Sequence, residues 1–325
     1  MRTTAVSHYP KIPNRPRPAR LRAAIGKRDR GQITPEEFAR VQDEVTAEVI
    51  AEQIEAGLDV VTDGQIRWDD DLTYIASRLE GFQLGGLIRY FDTNTYYRQP
   101  RVTGPVRWRR PILVRDYEFA ASASDKPVKA VLTGPYTLAA LSTDVHYNDR
   151  RKLVLDLADA LRNEVEALAA AGAPIIQVSE PAIVKEKGDA PLVAEALARL
   201  FDGVEAETAV YTWFGDLDGA LPALLDTPVD TIGLDFRMGP ANWDAIKAAK
   251  FDKTLGFGIV DARNTKMESP QEIADAVKRV GEHVPLDRLY LNPSAGLEYL
   301  PREVAFDKLK NMVEGARLAE PVTAH

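Results

Sequence analysis

The chain has 325 residues, enough for one large core or two ordinary ones, and its 45% apolar and 28% charged content is that of a soluble globular protein. Forty-one basic residues stand against 49 acidic ones, and a net charge of −8 gives no general attraction to nucleic acid or anionic membrane. The absence of cysteine excludes disulfides, thiolate nucleophiles and cysteine-ligated metals. With no apolar signal core and no membrane-length run, the expected location is the cytoplasm.

A first strand, Thr3-Thr-Ala-Val-Ser, ends at His8-Tyr-Pro10. The passage from Pro13 to Arg30 is rich in proline and arginine. Its Arg15, Arg17, Arg20, Arg22, Lys27, Arg28 and Arg30 could meet a polyanionic tail or form a solvated helix face. Thr34-Pro-Glu-Glu37 reads as a helix start, and Gly57 stops that helix after Ala56. Leu58 to Thr62 is a second strand, ending in Asp63-Gly64-Gln65.

Between Trp68 and Arg115 no long period holds, and aromatic and charged residues crowd together. A helix near Asp71–Leu79 and an extended insertion over about residues 80–125 are expected there, reaching over a site as a lid or packing as an arm. Strands at Pro127–Leu132, Pro174–Val178, Thr208–Thr212, Thr231–Leu234, Thr254–Val260 and Leu289–Leu291 follow, with helices at 149–171, Leu192–Phe201 and Arg302–Leu318. Eight strand-like runs alternating with helices predict an α/β fold, a (β/α)8 TIM barrel with the insertion over its C-terminal face, as one domain over 1–325. No Gly-x-Gly-x-x-Gly follows an early strand, so a dinucleotide fold has no support.

In such barrels the strand ends carry the chemistry. Here they present His8, Asp63, Gln65, Thr133, Ser179, Glu180, Trp213, Asp235, Asp261 and Asn292. Any one of these could instead be a loop cap. Carboxylates converging from several strands need cations or polar substrate groups to balance them, which points to a small polar ligand such as an amino acid. His8 could act as a base; Arg67 and Arg98 could clamp a carboxylate or pair with Asp69, Asp70 or Asp71.

The motifs resemble the catalytic barrel of cobalamin-independent methionine synthases, in the uroporphyrinogen decarboxylase-like superfamily. The likeness is carried by Tyr9-Pro10, Asp63-Gly64 with Arg67 and Asp69, Thr95-Tyr-Tyr-Arg-Gln-Pro100 and Leu132-Thr-Gly-Pro135. It continues through Ile176-Gln-x-x-Glu-Pro-Ala182, Gly258-Ile-Val-Asp261, Asn292-Pro293 and Asn311-Met-Val-Glu314. It implies methyl transfer to homocysteine or a related acceptor, with Tyr97 and Arg98 joining the substrate-binding set. It also implies a zinc ion on one His, two Cys and one acid. Those four positions fall on Trp213, Gly215, Asp235 and Ala295, so the expected metal set is empty.

Three readings follow. The first is a zinc-independent methyltransferase in which His8 is the base and Glu180, Asp235 and Asp261 orient an amino-acid-like acceptor beside a methyl donor. The second is a metal-free lyase or decarboxylase on the same barrel, and the third a non-catalytic binding homologue. A Trp213 exposed for stacking favours the first two; a buried Trp213 favours the third. A helper protein or a homo-oligomer is compatible with each.

Overall fold

The computed structural model describes residues 1–13 and 17–320, so Arg15 of the basic passage lies outside the described residues. The chain forms two compact units: Met1–Arg67, Glu118–Val128 and Phe257 onward in one, Trp68–Tyr117 and Lys129–Gly256 in the other.

In the first unit, strand Arg2–Thr3 pairs in parallel with Leu289–Pro293, and single parallel bridges join Thr4 to Val60 and Val61 to Val128. The expected strand at 58–62 therefore contributes bridges alone. Buried Gln53 takes the place of a ladder neighbour: its Oε1 accepts the Thr62 N–H at 3.0 Å and its Nε2 donates to the Thr62 carbonyl at 2.9 Å. Helix Pro35–Glu55 opens with a reciprocal capping box between Thr34 and Glu37 and ends before Gly57, whose φ of +94° suits glycine. A second box, Ser269 with Glu272, starts helix Pro270–Gly281, which packs on Arg302–Ala319.

The basic passage becomes helix Arg20–Asp29. Arg17 pairs with Glu52 and Glu303, Arg20 with Glu44 and Glu48, and Arg28 with Asp29. These cations neutralise the chain's own acids, as a solvated helix face does.

In the second unit, four buried strands run parallel and adjacent: Lys129–Thr133, Ile175–Ser179, Glu207–Tyr211 and Thr231–Asp235. Thr133 lies opposite Ser179, Ser179 opposite Tyr211 and Tyr211 opposite Gly233, so these strands finish level with one another. Helices Arg150–Ala170 and Ala190–Leu200 pack together beside them, each with a continuous buried stripe. The Tyr211 ring occupies the space that side chains on Gly233 and Gly256 would fill. Gly233→Ala forces its new Cβ into that ring and should cost about 1–3 kcal/mol, read from the urea unfolding midpoint; an unchanged midpoint would show that the ring can move aside.

The irregular stretch departs from expectation at its start. Only Thr73–Ala76 is helical, because Asp70 accepts the Leu72 and Thr73 N–H groups at 2.8 and 2.6 Å and fixes a single turn. The chain then passes Gly81 (φ +90°) into an antiparallel ribbon, Glu80–Arg89 against Tyr96–Arg107, with Thr143–Asp144 along its second strand. Helix Val114–Ser122 completes the insertion. Its root is fastened by Glu164, fully buried on helix Arg150–Ala170, which accepts from Trp108 Nε1 (2.7 Å), Ile112 N–H (2.8 Å) and Leu113 N–H (2.7 Å).

Candidate active site

Each unit carries part of the predicted set. In the second, Thr133, Ser179, Glu180, Trp213 and Asp235 all stand at or just beyond the C-terminal ends of the four strands. Glu180 is completely buried. Its Oε1 accepts the Tyr136 N–H at 2.9 Å and its Oε2 the Thr137 N–H at 2.7 Å, and Gly134 leaves the space its side chain occupies. Burial pushes its carboxyl up to about 7, against the pull of those N–H bonds. Asp235 is also buried, and its oxygens take three backbone N–H groups: Phe214 at 3.0 Å, Arg237 at 2.8 Å and Met238 at 2.9 Å. Both acids fasten the loops that leave the strands. Thr133 Oγ1 donates to the Asp71 carbonyl.

The ribbon turn sits over the same strand ends. Tyr90 and Phe91 meet Phe214 edge-on at centroid distances of 6.3 and 5.6 Å, and Tyr90 meets Tyr97 at 6.1 Å. Tyr97 donates to the Leu141 carbonyl at 3.1 Å, and burial with nearby Asp70 pushes its hydroxyl up to about 12, so it stays neutral. Asp70 is itself raised, by burial first. Arg98 is exposed on the ribbon, opposite Leu87. Trp213 is only 3% exposed and packs edge-on to Phe214, so it offers no open face for stacking.

In the first unit, His8, Gln65 and Asn292 are buried at the ends of neighbouring strands. The His8 carbonyl accepts from Leu297 N–H at 2.8 Å and Tyr9 N–H donates to the Gly64 carbonyl at 3.0 Å, which ties the three loops together. Asp63 accepts the Gln65 N–H at 3.0 Å, holding Gln65 at φ +49°. Among the described residues the Ser7 hydroxyl, Gln65 Oε1 and Asn292 Oδ1 are buried without a hydrogen-bond partner. Such atoms are costly unless a ligand or water meets them. Arg67 pairs with Asp43 and lies 5.0 Å over the Phe119 ring, so its clamp is already engaged. Asp261 accepts Arg263 N–H at 2.9 Å through Oδ1, and its own N–H donates to Glu268 at 2.9 Å. Buried Lys308 holds Glu268 at 2.7 Å.

The sequence reading missed Glu164, Lys129 and the unsatisfied Ser7 hydroxyl. Lys129 had a visible signal, a lysine inside an otherwise apolar strand run. Its ammonium group is buried 4.7 Å over the Tyr211 ring, and burial pulls it down to about 7. Glu164 likewise interrupts an apolar helical stripe.

Parallel strands with polar C-terminal ends, roofed in the second unit by a ribbon turn, define a barrel-type α/β enzyme. The model of the cobalamin-independent synthase catalytic domain matches residues 1–318, and the chain belongs to that family. It is 35% identical over 320 residues to a methionine synthase of Saccharolobus solfataricus, covering 97% of this chain and 94% of that one. A methionine synthase of Sulfurisphaera tokodaii is 35% identical over 318 residues, covering 97% and 91%. A solved B12-independent methionine synthase from a Shewanella species shares the fold, with a TM-score of 0.86 at 24% identity over 97% of this chain and 96% of that chain.

The family's zinc does not fit these residues. Trp213, Gly215 and Ala295 offer no ligand atom, and Asp235 directs its oxygens at backbone N–H groups. Among the described residues no three His, Asp or Glu side chains gather closely enough to hold a metal.

Proposed function

We propose that this chain is a methionine-synthase-type methyltransferase that methylates a small amino-acid-like acceptor without a zinc-bound thiolate. The observation that carries the reading is its 35% identity, over nearly the full length of both chains, to a methionine synthase. A free thiol with a pKa of about 8.5 is only a few per cent thiolate at neutral pH, so a protein base must supply what zinc supplies elsewhere. His8 takes the acceptor proton as the acceptor's heteroatom bonds the methyl carbon, and the donor departs with the electron pair of its broken bond to that carbon. Asp63, Gln65 and Asn292 of the same unit meet the acceptor's polar groups, and Asp261 orients it. Glu180, Asp235 and Thr133, in the second unit, hold the loops that leave their own strands. Among the described residues no helix is long and apolar enough to cross a membrane.

The test measures metal by mass spectrometry before and after zinc loading, together with methylation of homocysteine and related acceptors. Turnover without bound zinc, unaffected by chelation and reduced about 10²–10⁴-fold in His8→Gln, is expected. Stoichiometric zinc whose removal abolishes turnover would overturn the reading. The burial of Trp213 favours a second one, a homologue that binds and does not turn over. It predicts ligand-induced thermal stabilisation with no methylated product from any donor.

A further inference from the structure

The second unit carries two surface features that the proposed chemistry leaves unused. The first is the outer face of the ribbon. Leu84, Leu87 and Tyr96 are all exposed there, Leu87 by 64% and Tyr96 by 58%, and Val145 beside the ribbon is exposed as well. In register, Leu87 stands opposite Arg98 and Arg89 opposite Tyr96, which makes the face both apolar and cationic. From residue 78 to 110 there are seven arginines against Glu80 and Asp92, a charge of +5; the total is −8, so the rest of the chain carries −13. Exposed apolar side chains gathered on one two-stranded arm are a recognition feature more than random surface.

The second is a groove of about 520 Å³ where helix Arg150–Ala170 ends and strands Ile175–Ser179 and Glu207–Tyr211 begin. Ala169, Ala173 and Val204 line it, and Glu166 and Glu205 stand among its walls. It belongs to residues 129–256, where 12 basic and 20 acidic residues give −8. Glu166 also pairs with Arg162 at 2.8 Å, which leaves Glu205 the stronger attractor. The groove lies at the N-terminal ends of these strands. The ribbon turn packs on Phe214, beyond their C-terminal ends. A ribbon that fills the groove must then come from another molecule.

We propose that the chain self-associates head to tail, the ribbon of one copy docking in the groove of the next. Leu87 and Tyr96 supply apolar surface to the alanine-lined floor, and Arg98, on the same side of the ribbon, faces Glu205 and Glu166. Ribbon-to-ribbon pairing would set like charges against each other, and groove-to-groove pairing would do the same with opposite sign. The complementary surfaces lie on different patches, so the contact is heterologous and can propagate beyond a dimer.

Sedimentation velocity of the full chain at roughly 1–200 μM, in about 50 and 500 mM salt, tests this. Concentration-dependent association is expected at low salt, weakened at least about tenfold at high salt. Leu87→Asp with Arg98→Glu removes the ribbon, and Glu166→Lys with Glu205→Lys removes the groove; all four side chains are exposed, and circular dichroism confirms folding. Each double variant alone should be monomeric. Their equimolar mixture keeps one intact ribbon and one intact groove, so it should form dimers that grow no further. A native chain that stays monomeric at the top concentration and low salt would overturn the proposal. So would association that survives both double variants, or a mixture that fails to recover dimers.

Discussion

Unfolding free energy measured from pH 4 to 11 should pass through a minimum near pH 7. Two buried groups set it. Burial raises Glu180 from 4.5 to about 7, so between those values the folded chain holds a proton that the unfolded chain has released. Stability therefore falls as pH rises through that window. At about 1.4 kcal/mol per pH unit the loss approaches about 3 kcal/mol above pH 7 and is absent below 4.5. Lys129 acts in the opposite sense. It is lowered from 10.5 to about 7, so the unfolded chain holds the extra proton between 7 and 10.5. Stability rises with pH there, by as much as about 5 kcal/mol, and the cost stands in full below 7. Each group has its own control. Glu180→Gln mimics the protonated carboxyl and should flatten the acid side; Lys129→Met keeps the stem and should flatten the alkaline side. Profiles for both variants that run parallel to the native one would show that these groups keep ordinary affinities for protons.

Glu164→Ala should cost about 3–5 kcal/mol, the range for stripping a buried charge-assisted network of its acceptor. Its oxygens serve Trp108 Nε1, Ile112 N–H and Leu113 N–H, and alanine would leave all three donors buried and unmet. The damage should also be local. The root of the ribbon is what these bonds fasten, so limited proteolysis between residues 107 and 115 should begin well before global unfolding. Trp108→Phe removes one of the three bonds and should cost only about 1 kcal/mol. A Glu164→Ala protein with the native melting temperature and no new cleavage would mean that the ribbon is held by other contacts.

The Trp213 result bears on chemistry more than stability. At the position where the resemblance places a zinc histidine, an indole is buried against Phe214, and the adjoining acid is committed to the loop backbone. Replacing Trp213 by histidine alone would therefore not rebuild a metal site, since Gly215 and Ala295 still lack donor atoms.

Much was legible in the chain itself. Apolar runs broken by Asn-Pro, Thr-Gly-Pro and Ser-Glu-Pro marked the strand ends, because a buried parallel strand is apolar on both faces until it leaves the core. Thr34-Pro-Glu-Glu37 and the glycine at 57 bounded a helix through capping that is entirely local. The same local signal, Ser269-Pro-Gln-Glu272, stands before helix Pro270–Gly281. That the positions the resemblance assigns to zinc fall on Trp213, Gly215 and Ala295, whose side chains carry no donor for zinc, is visible in the residue types alone.

What the sequence left open was how each polar group is spent, because its partner lies far along the chain. Arg67 found Asp43 in a preceding helix, Glu164 found the insertion some fifty residues before it, and Gln53 replaced a strand ladder at Thr62. Their place at strand ends marks Asp235 and Glu180 as chemical groups, and packing turns their oxygens onto backbone N–H groups. Local pattern determined which residues reach the strand ends, since alternation and capping act over a few residues. Tertiary packing decided which of them still have an unsatisfied atom, because burial and long-range partners exist only in the folded chain.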